Sequence, residues 1–224
     1  METVIELRDV YKIYQTGETE VRALDGATLT VNKGEFVAIV GRSGSGKSTL
    51  MNILGCLDLP TSGSYRLGGE EVSDIPEKRL CFLRNQQIGF IFQSFHLLPS
   101  LTALENVELP LLFAGVPRAK RRQTAAAMLE TVGLFDRMHH YPAQMSGGQQ
   151  QRVAIARAVA GAPPLILADE PTGNLDESSG TAVMSILQQL HQSGTTVLLI
   201  THDPAVAAKA QRRVEMRAGK LISL

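Results

Sequence analysis

The 224-residue sequence has no surplus of charge of either sign: Lys and Arg number 22 together, and so do Asp and Glu. Without a global field, nothing draws the chain as a whole to nucleic acid or anionic lipid. One basic cluster, Arg118, Lys120, Arg121 and Arg122, is local and reads as a solvated helix face. Cysteine is scarce. Cys56 and Cys81 have neither zinc-like nor C-x-x-C spacing, which fits free thiols in a reduced compartment. The start, Met1-Glu2-Thr3-Val4-Ile5-Glu6, is acidic where a signal peptide needs basic residues. No apolar run approaches the roughly 20 residues that span a bilayer. The expectation is a cytoplasmic protein with no span of its own, reaching a membrane only through a partner. Internal repeats, low-complexity tracts and long linkers are also missing.

What is present is an ordinary globular composition, 44% apolar and 20% charged, in a length that suits one domain with a sizeable insertion. The chain is organised around Gly41-Arg42-Ser43-Gly44-Ser45-Gly46-Lys47-Ser48-Thr49, which fits G-x-x-x-x-G-K-[ST] throughout. The β-rich run Glu35–Val40 precedes it, and Ser48–Leu54 after it reads as a helix. A strand therefore delivers the loop and a helix N-terminus receives it. Successive backbone amides and the positive end of the helix dipole make such a loop a concave anion site. Gly44 and Gly46 let the backbone curl towards a phosphate. Lys47 would reach the β- and γ-phosphates and the Ser48 hydroxyl would take one Mg²⁺ position. A Ser/Gly-rich surface turn is the bland alternative, and the strand–loop–helix setting argues against it.

Along the chain, Val4–Val10 and Arg22–Val31 read as two strands broken at Gln15-Thr16-Gly17-Glu18. After the loop and its helix, which should end near Gly55, come a turn at Pro60–Gly63 and a short strand at Tyr65–Leu67. A helix should run from Pro76, with Asp74 as a possible cap, to about Asn85. Ile88–Phe92 then reads as a buried strand ending on Gln93. From Ser94 to about Gly161 strand signals nearly vanish. Thr102-Ala103-Leu104-Glu105 is a capping box, Pro117 opens a second helix that stops at Gly133, and Ser146-Gly147-Gly148 opens a third. The α/β pattern resumes with strands at Pro164–Ala168 and Thr195–Ile200, helices at Glu177–His191 and Pro204–Ala210, and two closing strands over Arg213–Leu224. The expected fold is an α/β phosphate-loop NTPase core with a mostly parallel sheet, an antiparallel β lobe and a helical insertion. Residues 1–93 and 162–224 would form the core and lobe, and 94–161 the helical subdomain. Ligands on such sheets sit at the C-terminal ends of the strands. Gly41, Gln93, Asp169 and Thr201 all fall there.

Asp169-Glu170 ends an apolar run, and two adjacent carboxylates at a buried strand end are costly unless something uses them. Asp169 would hold Mg²⁺ opposite Ser48, and Glu170 would accept a proton from the water that attacks the γ-phosphate. His202, on the neighbouring strand end, is placed for a γ-phosphate contact, although a lone histidine there is more often simply packed. Gln93 would orient the lytic water or touch Mg²⁺, unless it is a plain strand-terminal polar residue. The odd feature is the second glycine loop, Ser146-Gly147-Gly148-Gln149-Gln150, which also opens a helix. One nucleotide has a single triphosphate, already cradled by the first loop. Either this loop is a Gly-containing helix start, or it binds the nucleotide of a second copy.

Taken together, Gly41–Thr49, Gln93, Ser146-Gly147-Gly148-Gln149-Gln150-Gln151-Arg152, Leu165–Glu170, Asn174-Leu175-Asp176 and His202 resemble an ABC transporter ATPase subunit in order and spacing, over nearly the whole chain. The resemblance implies that Ser146, Gly147, Gly148 and Gln149 belong to a signature clasping the γ-phosphate bound by a partner copy. It implies further that Gln93 is the Q-loop residue, Asp176 the D-loop residue and His202 the switch histidine. Family members stack an aromatic on adenine shortly after the first strand. Tyr14 is the match, and Tyr11, at an odd offset, points to the other face of a strand. Met145 departs from the usual leucine before the signature serine but stays apolar. A narrower likeness in Phe95–Val107, Ala168–Asp176 and Val214–Arg217 is to the lipoprotein-releasing (LolD) and macrolide-exporting (MacB) ATPases. It implies that Phe95, Leu97, Leu98 and Leu101 line a groove for a membrane subunit.

These observations imply a Mg²⁺-dependent ATPase that pairs with a second copy of itself around two ATPs and drives integral membrane permease subunits at the inner membrane. A machine acting on DNA or ribosomes would bring long coiled coils, zinc-hook cysteines or two cassettes, none of which is in the sequence. A nucleotide-gated regulatory module would carry the same catalytic residues, and stands as the alternative. The substrate is not legible, because that specificity lies in other chains.

Overall fold

The apolar runs of the α/β regions are strands buried on both faces. In the computed structural model, which describes residues 2–17 and 19–223, the chain runs β1 (Thr3–Thr16), β2 (Thr19–Asn32), β3 (Phe36–Val40), α1 (Lys47–Leu54), β4 (Ser62–Leu67), β5 (Glu70–Glu71), α2 (Glu77–Gln87) and β6 (Ile88–Phe92). Then follow α3 (Ala103–Phe113), α4 (Arg118–Thr131), α5 (Gly147–Val159), β7 (Leu165–Asp169), α6 (Glu177–Gln192), β8 (Thr196–Thr201), α7 (Pro204–Ala207), β9 (Arg212–Arg217) and β10 (Lys220–Ser223). One sheet has the order β10-β9-β3-β8-β7-β6, parallel throughout except for antiparallel β10. Val37, Ile39, Leu165, Leu167, Leu198 and Ile200 enter one core with α1 and the β lobe. Their neighbours Phe36, Ala38, Ile166, Ala168, Val197 and Leu199 enter another with α5 and α6. A period-2 strand covered on both sides has no polar face to show, hence the unbroken apolar sequence.

The antiparallel lobe has the order β2-β1-β4-β5. Its first two strands run further than the apolar pattern suggests, because their polar ends pair as a bulged two-stranded ribbon. Glu18, part of the expected turn, lies outside the described residues, as do Met1 and Leu224. Between β6 and β7, helices α3, α4 and α5 close a third cluster around Leu104, Val107, Leu129 and Val153, with Met145 buried in it. The Thr102–Glu105 capping box is made in both directions, and Gly133 turns left-handed (φ 68°) just past α4. Arg118, Lys120 and Arg122 are exposed while Arg121 pairs with Glu108, as a solvated face requires.

Three boundaries differ from the sequence reading. Asp74 sits in a 3-10 turn and does not cap α2; Pro76 occupies the N-cap and offers no side-chain acceptor. Helix α7 stops at Ala207 rather than Ala210, and α5 at Val159. Because β3, β6, β7 and β8 are parallel, their C-terminal ends bring Gly41, Gln93, Asp169 and Thr201 to one edge of the sheet.

Candidate functional site

The loop after β3 is shaped by glycine at the positions that demand it. Gly44 (φ 76°) and Gly46 (φ 104°) are left-handed, and a Cβ on Gly46 would collide with the Ala23 carbonyl. A Cβ on Gly41 would lie 2.5 Å from the Met216 carbonyl oxygen and 2.7 Å from Ser45 Oγ. Gly46 is also the N-cap of α1, so no side chain caps that helix, and its first turn holds no acidic residue. The amides of Lys47, Ser48 and Thr49 are thereby left without intrahelical acceptors. Ser45 Oγ is buried without a hydrogen-bond partner. Lys47 Nζ donates to the carbonyls of Gly41 (2.6 Å) and Arg42 (2.9 Å), which holds the ammonium over the loop. Every group that would receive an anion is in place.

A cavity of about 990 Å³ opens here. The loop from Gly41 to Thr49, Ser45 apart, shares its wall with Gln93, Asp169, Glu170 and His202, so four strand ends meet around one volume. Burial raises the Asp169 carboxyl above its ordinary range, the Glu170 charge adds to this, and Lys47 opposes it. Such a carboxylate is relieved by a cation. Hydroxyl, carboxamide and carboxylate oxygens from Ser48, Gln93 and Asp169 form a hard donor set. Among the described residues no three acidic, His or Cys side chains converge on a metal.

Glu170 is left-handed (φ 45°), an uncommon conformation for a non-glycine residue that turns the chain sharply at the strand end. Its Oε2 accepts from Thr201 Oγ1 (3.0 Å), and its Oε1 accepts from the His202 amide (2.8 Å) and pairs with His202 Nδ1 (2.7 Å). Gln93 and Asn174 are tied both ways: Gln93 Nε2 donates to Asn174 Oδ1 (3.0 Å), and Asn174 Nδ2 donates to the Gln93 carbonyl (3.1 Å).

The second glycine loop lies elsewhere. Ser146, Gly147, Gly148, Gln149 and Asp176 do not line the phosphate-loop cavity. Ser146 caps α5 by accepting from the Gln149 amide (3.3 Å), and Gln149 Oε1 accepts from the Ser146 amide (3.0 Å). A Cβ on Gly148 would strike the Ser179 side chain in the first turn of α6. That helix is capped by Asp176, whose carboxyl is held far below its ordinary range by bonds from the Ser178 hydroxyl and the Ser179 amide and hydroxyl. The second loop and Asp176 are thus neighbours.

Tyr14 does not line the cavity but pairs across the hairpin with Val21, which does. Tyr11 is engaged elsewhere, with its ring against Gly26. Residues to which the sequence reading assigned no role bind the parts together. Gln151, fully buried on α5, donates to the carbonyls of Phe92 (3.3 Å) and Pro171 (2.7 Å). Arg157, also on α5, donates to the carbonyls of Phe95 and His96, two consecutive left-handed residues. A buried glutamine and a late-helix arginine near a signature are the signals available for these. A second cavity of about 760 Å³ lies between α2, β6, α3 and α5, lined by Phe82, Phe90, Phe92 and Phe113 with His96 and Arg157. Phe95, Leu97, Leu98 and Leu101 are not in its wall: Leu97 packs against the helical cluster and Leu98 is exposed.

Against known proteins, the family model for ABC transporters matches residues 24–173, more than half of the chain. A macrolide export ATP-binding/permease protein, MacB, from Hyphomonas neptunium is 56% identical over 98% of this chain. The chain spans about a third (34%) of that relative's length. An uncharacterized ABC transporter ATP-binding protein from Thermotoga maritima is 54% identical, covering 99% of this chain and 94% of its own. Among solved structures, the ATP-binding cassette MJ0796, a dimer in a post-hydrolysis state with ADP and Pi, matches at a TM-score of 0.89 and 45% identity, over 97% of this chain and 96% of that one. The chain belongs to the ABC transporter family. It is an ATP-binding cassette of the phosphate-loop fold, an ATPase whose cofactors are ATP and Mg²⁺. Among the described residues no helix is long and apolar enough to cross a membrane.

Proposed function

We propose that two copies close head-to-tail around two Mg-ATP and that closure drives integral permease subunits at the cytoplasmic face of the inner membrane, in export or lipoprotein-release work of the MacB or LolD kind. The observation that carries this reading is the separation of the two glycine loops. The first is a complete anion cradle; the second presents the amides of Gly147 and Gly148, the first two of α5, away from it. A second copy is the source of a phosphate for those amides. The dimeric MJ0796 cassette and the permease-bearing MacB relatives support the pairing and the membrane partner.

In this reading Gly41–Thr49 hold the triphosphate, Lys47 neutralises its terminal charge, and Ser48, Gln93 and Asp169 hold Mg²⁺, which screens the phosphates when bound. Tyr14 stacks on the base. Glu170 takes the proton of the attacking water; its Oε1 now pairs with His202 Nδ1, and turning the His202 ring towards the γ-phosphate leaves only the His202 amide on that oxygen. Asp176, set beside Gly148 through Ser179, reports closure across the pair. Residues 94–161 act as a helical subdomain, moving on a core formed by 1–93 and 162–224, and their separate apolar cluster supports that division.

The test is Glu170→Gln. Steady turnover should fall by on the order of 10²- to 10⁴-fold, the contribution of a general base, with ATP binding kept. Sedimentation should then give a dimer with ATP and a monomer with ADP. A variant that hydrolyses at the parent rate would remove Glu170 from this role.

A further inference from the structure

The hairpin of β1 and β2 outruns the sheet that supports it. β4 pairs with β1 only as far as Tyr11 opposite Ser62, while β1 and β2 stay paired on to Thr16 opposite Thr19. A two-stranded ribbon is marginal by itself, yet Tyr14 lies on this overhang. What anchors it is the segment after α1. Lys12 Nζ donates to Asp58 Oδ1 (2.6 Å) and to the Leu59 carbonyl (2.8 Å). The Tyr14 hydroxyl donates to Asp58 Oδ2 (3.0 Å). The Leu59 amide donates to Asp58 Oδ1 (2.8 Å), and the Ile13 amide donates to Thr61 Oγ1 (3.0 Å). The Lys12 ammonium also lies over the Tyr14 ring, 5.1 Å from its centroid, so a cation backs one face of an exposed ring. Thr49, the last residue of the phosphate loop, borders the Tyr14 hydroxyl. One carboxylate therefore gathers the overhang, the aromatic ring and the chain emerging from the helix that the phosphate loop opens.

We propose that Asp58 is a positioning residue for nucleotide binding: it fixes the Tyr14 ring, with Lys12 behind it, as a platform for a purine base at a set distance from the phosphate loop. This rests on the reading of Tyr14 as the base-stacking residue. Asp58 itself touches no nucleotide. Burial raises its carboxyl, but the bonds from Lys12, Tyr14 and the Leu59 amide outweigh that and hold it below its ordinary range, so the anchor is ionised wherever the protein is folded near neutrality. A two-point grip on Oδ1 and Oδ2 also sets the ring's tilt, which a single bond would not.

The experiment is calorimetric titration of the full chain with Mg-ADP and, separately, with Mg-pyrophosphate, which has no base. Asp58→Ala should weaken ADP about three- to tenfold, a fraction of what a base–aromatic stack contributes, and leave pyrophosphate unchanged. Asp58→Asn, which keeps an acceptor but loses the charge that holds Lys12, should fall between Asp58→Ala and the parent. Tyr14→Phe keeps the ring and should have no further effect on top of Asp58→Ala, as partners in one interaction behave. In turnover the same variants should raise the KM for ATP and keep kcat. Asp58→Ala binding ADP like the parent, or losing ADP and pyrophosphate equally, would overturn the proposal. If Tyr14→Ala also binds ADP like the parent, the base-stacking reading falls with it. If Tyr14→Ala weakens ADP while Asp58→Ala does not, only the anchor is refuted.

Discussion

Two loops in this chain share a composition and differ in how their amides are finished. The loop into α1 ends on Gly46, a left-handed N-cap without a side chain, so the first amides of the helix have no internal acceptor. The loop into α5 ends on Ser146, and Ser146 and Gln149 satisfy each other reciprocally. The first is a high-energy arrangement that an anion completes. The second is stable as it stands and offers only the amides of Gly147 and Gly148. A glycine-rich helix start therefore does not have one meaning. What decides is whether the sequence supplies its own cap.

The comparison breaks most visibly at the first loop. Gly46→Ala puts a Cβ into the Ala23 carbonyl at a positive φ, a strain of about 1–3 kcal/mol. Nucleotide affinity by calorimetry should fall on the order of 10- to 100-fold. A parent-like affinity would mean that the loop is not held in this shape.

The two glycines of the second loop separate folding from function. Around Gly147 a Cβ meets nothing nearer than 3.6 Å, so Gly147→Ala should keep the thermal stability of the single copy, or raise it by about 0.4–1 kcal/mol. Under the proposed pairing its ATP-dependent dimer and its turnover should nevertheless weaken about tenfold, because the methyl would crowd the amides that receive the partner's phosphate. Gly148→Ala presses on Ser179 and should lose about 1–3 kcal/mol of stability even without nucleotide. Melting curves paired with sedimentation distinguish the two. Equal behaviour would erase the assigned difference.

The smallest effect is one of pH. Asp169, beside the first loop, has a raised carboxyl, so it protonates at a higher pH than a free aspartate, and Mg²⁺-dependent nucleotide binding should fade as pH drops through that raised value. For the nucleotide-free protein the sign is opposite. The stability due to this group is present below its unfolded pKa and is lost as pH rises through the folded one. Asp169→Asn should thus raise the melting temperature at neutral pH while abolishing the Mg²⁺ dependence of binding. Asp176, beside the second loop, is depressed; its stability is present above the unfolded carboxylate range and persists down to strongly acid pH. Binding should therefore fail on acidification before the Asp176 cap does, as seen by titrating nucleotide and following α6 by amide exchange.

Much of this was legible because it is local. The phosphate loop, the Thr102–Glu105 box and the doubly buried strands each follow from a few neighbouring residues, and the parallel sheet follows from their alternation with helices. The partners of the site residues were not legible. Asn174 meets Gln93 across 81 positions, Thr201 meets Glu170 across 31, and Arg157 reaches the Phe95 and His96 carbonyls across about 60. No spacing rule links such residues; only the sheet order and the packing of α5 do. The overhanging hairpin was missed for a related reason, since a polar ribbon carries no apolar alternation.

The most direct measurement is the structure of the Glu170→Gln protein closed on Mg-ATP. The amides of Gly147 and Gly148 should lie within hydrogen-bond distance, about 3 Å, of a γ-phosphate cradled by Lys47 of the other copy. If both amides face solvent or their own chain while nucleotide fills the first loop, the shared pocket does not exist and the chain binds ATP as a single copy.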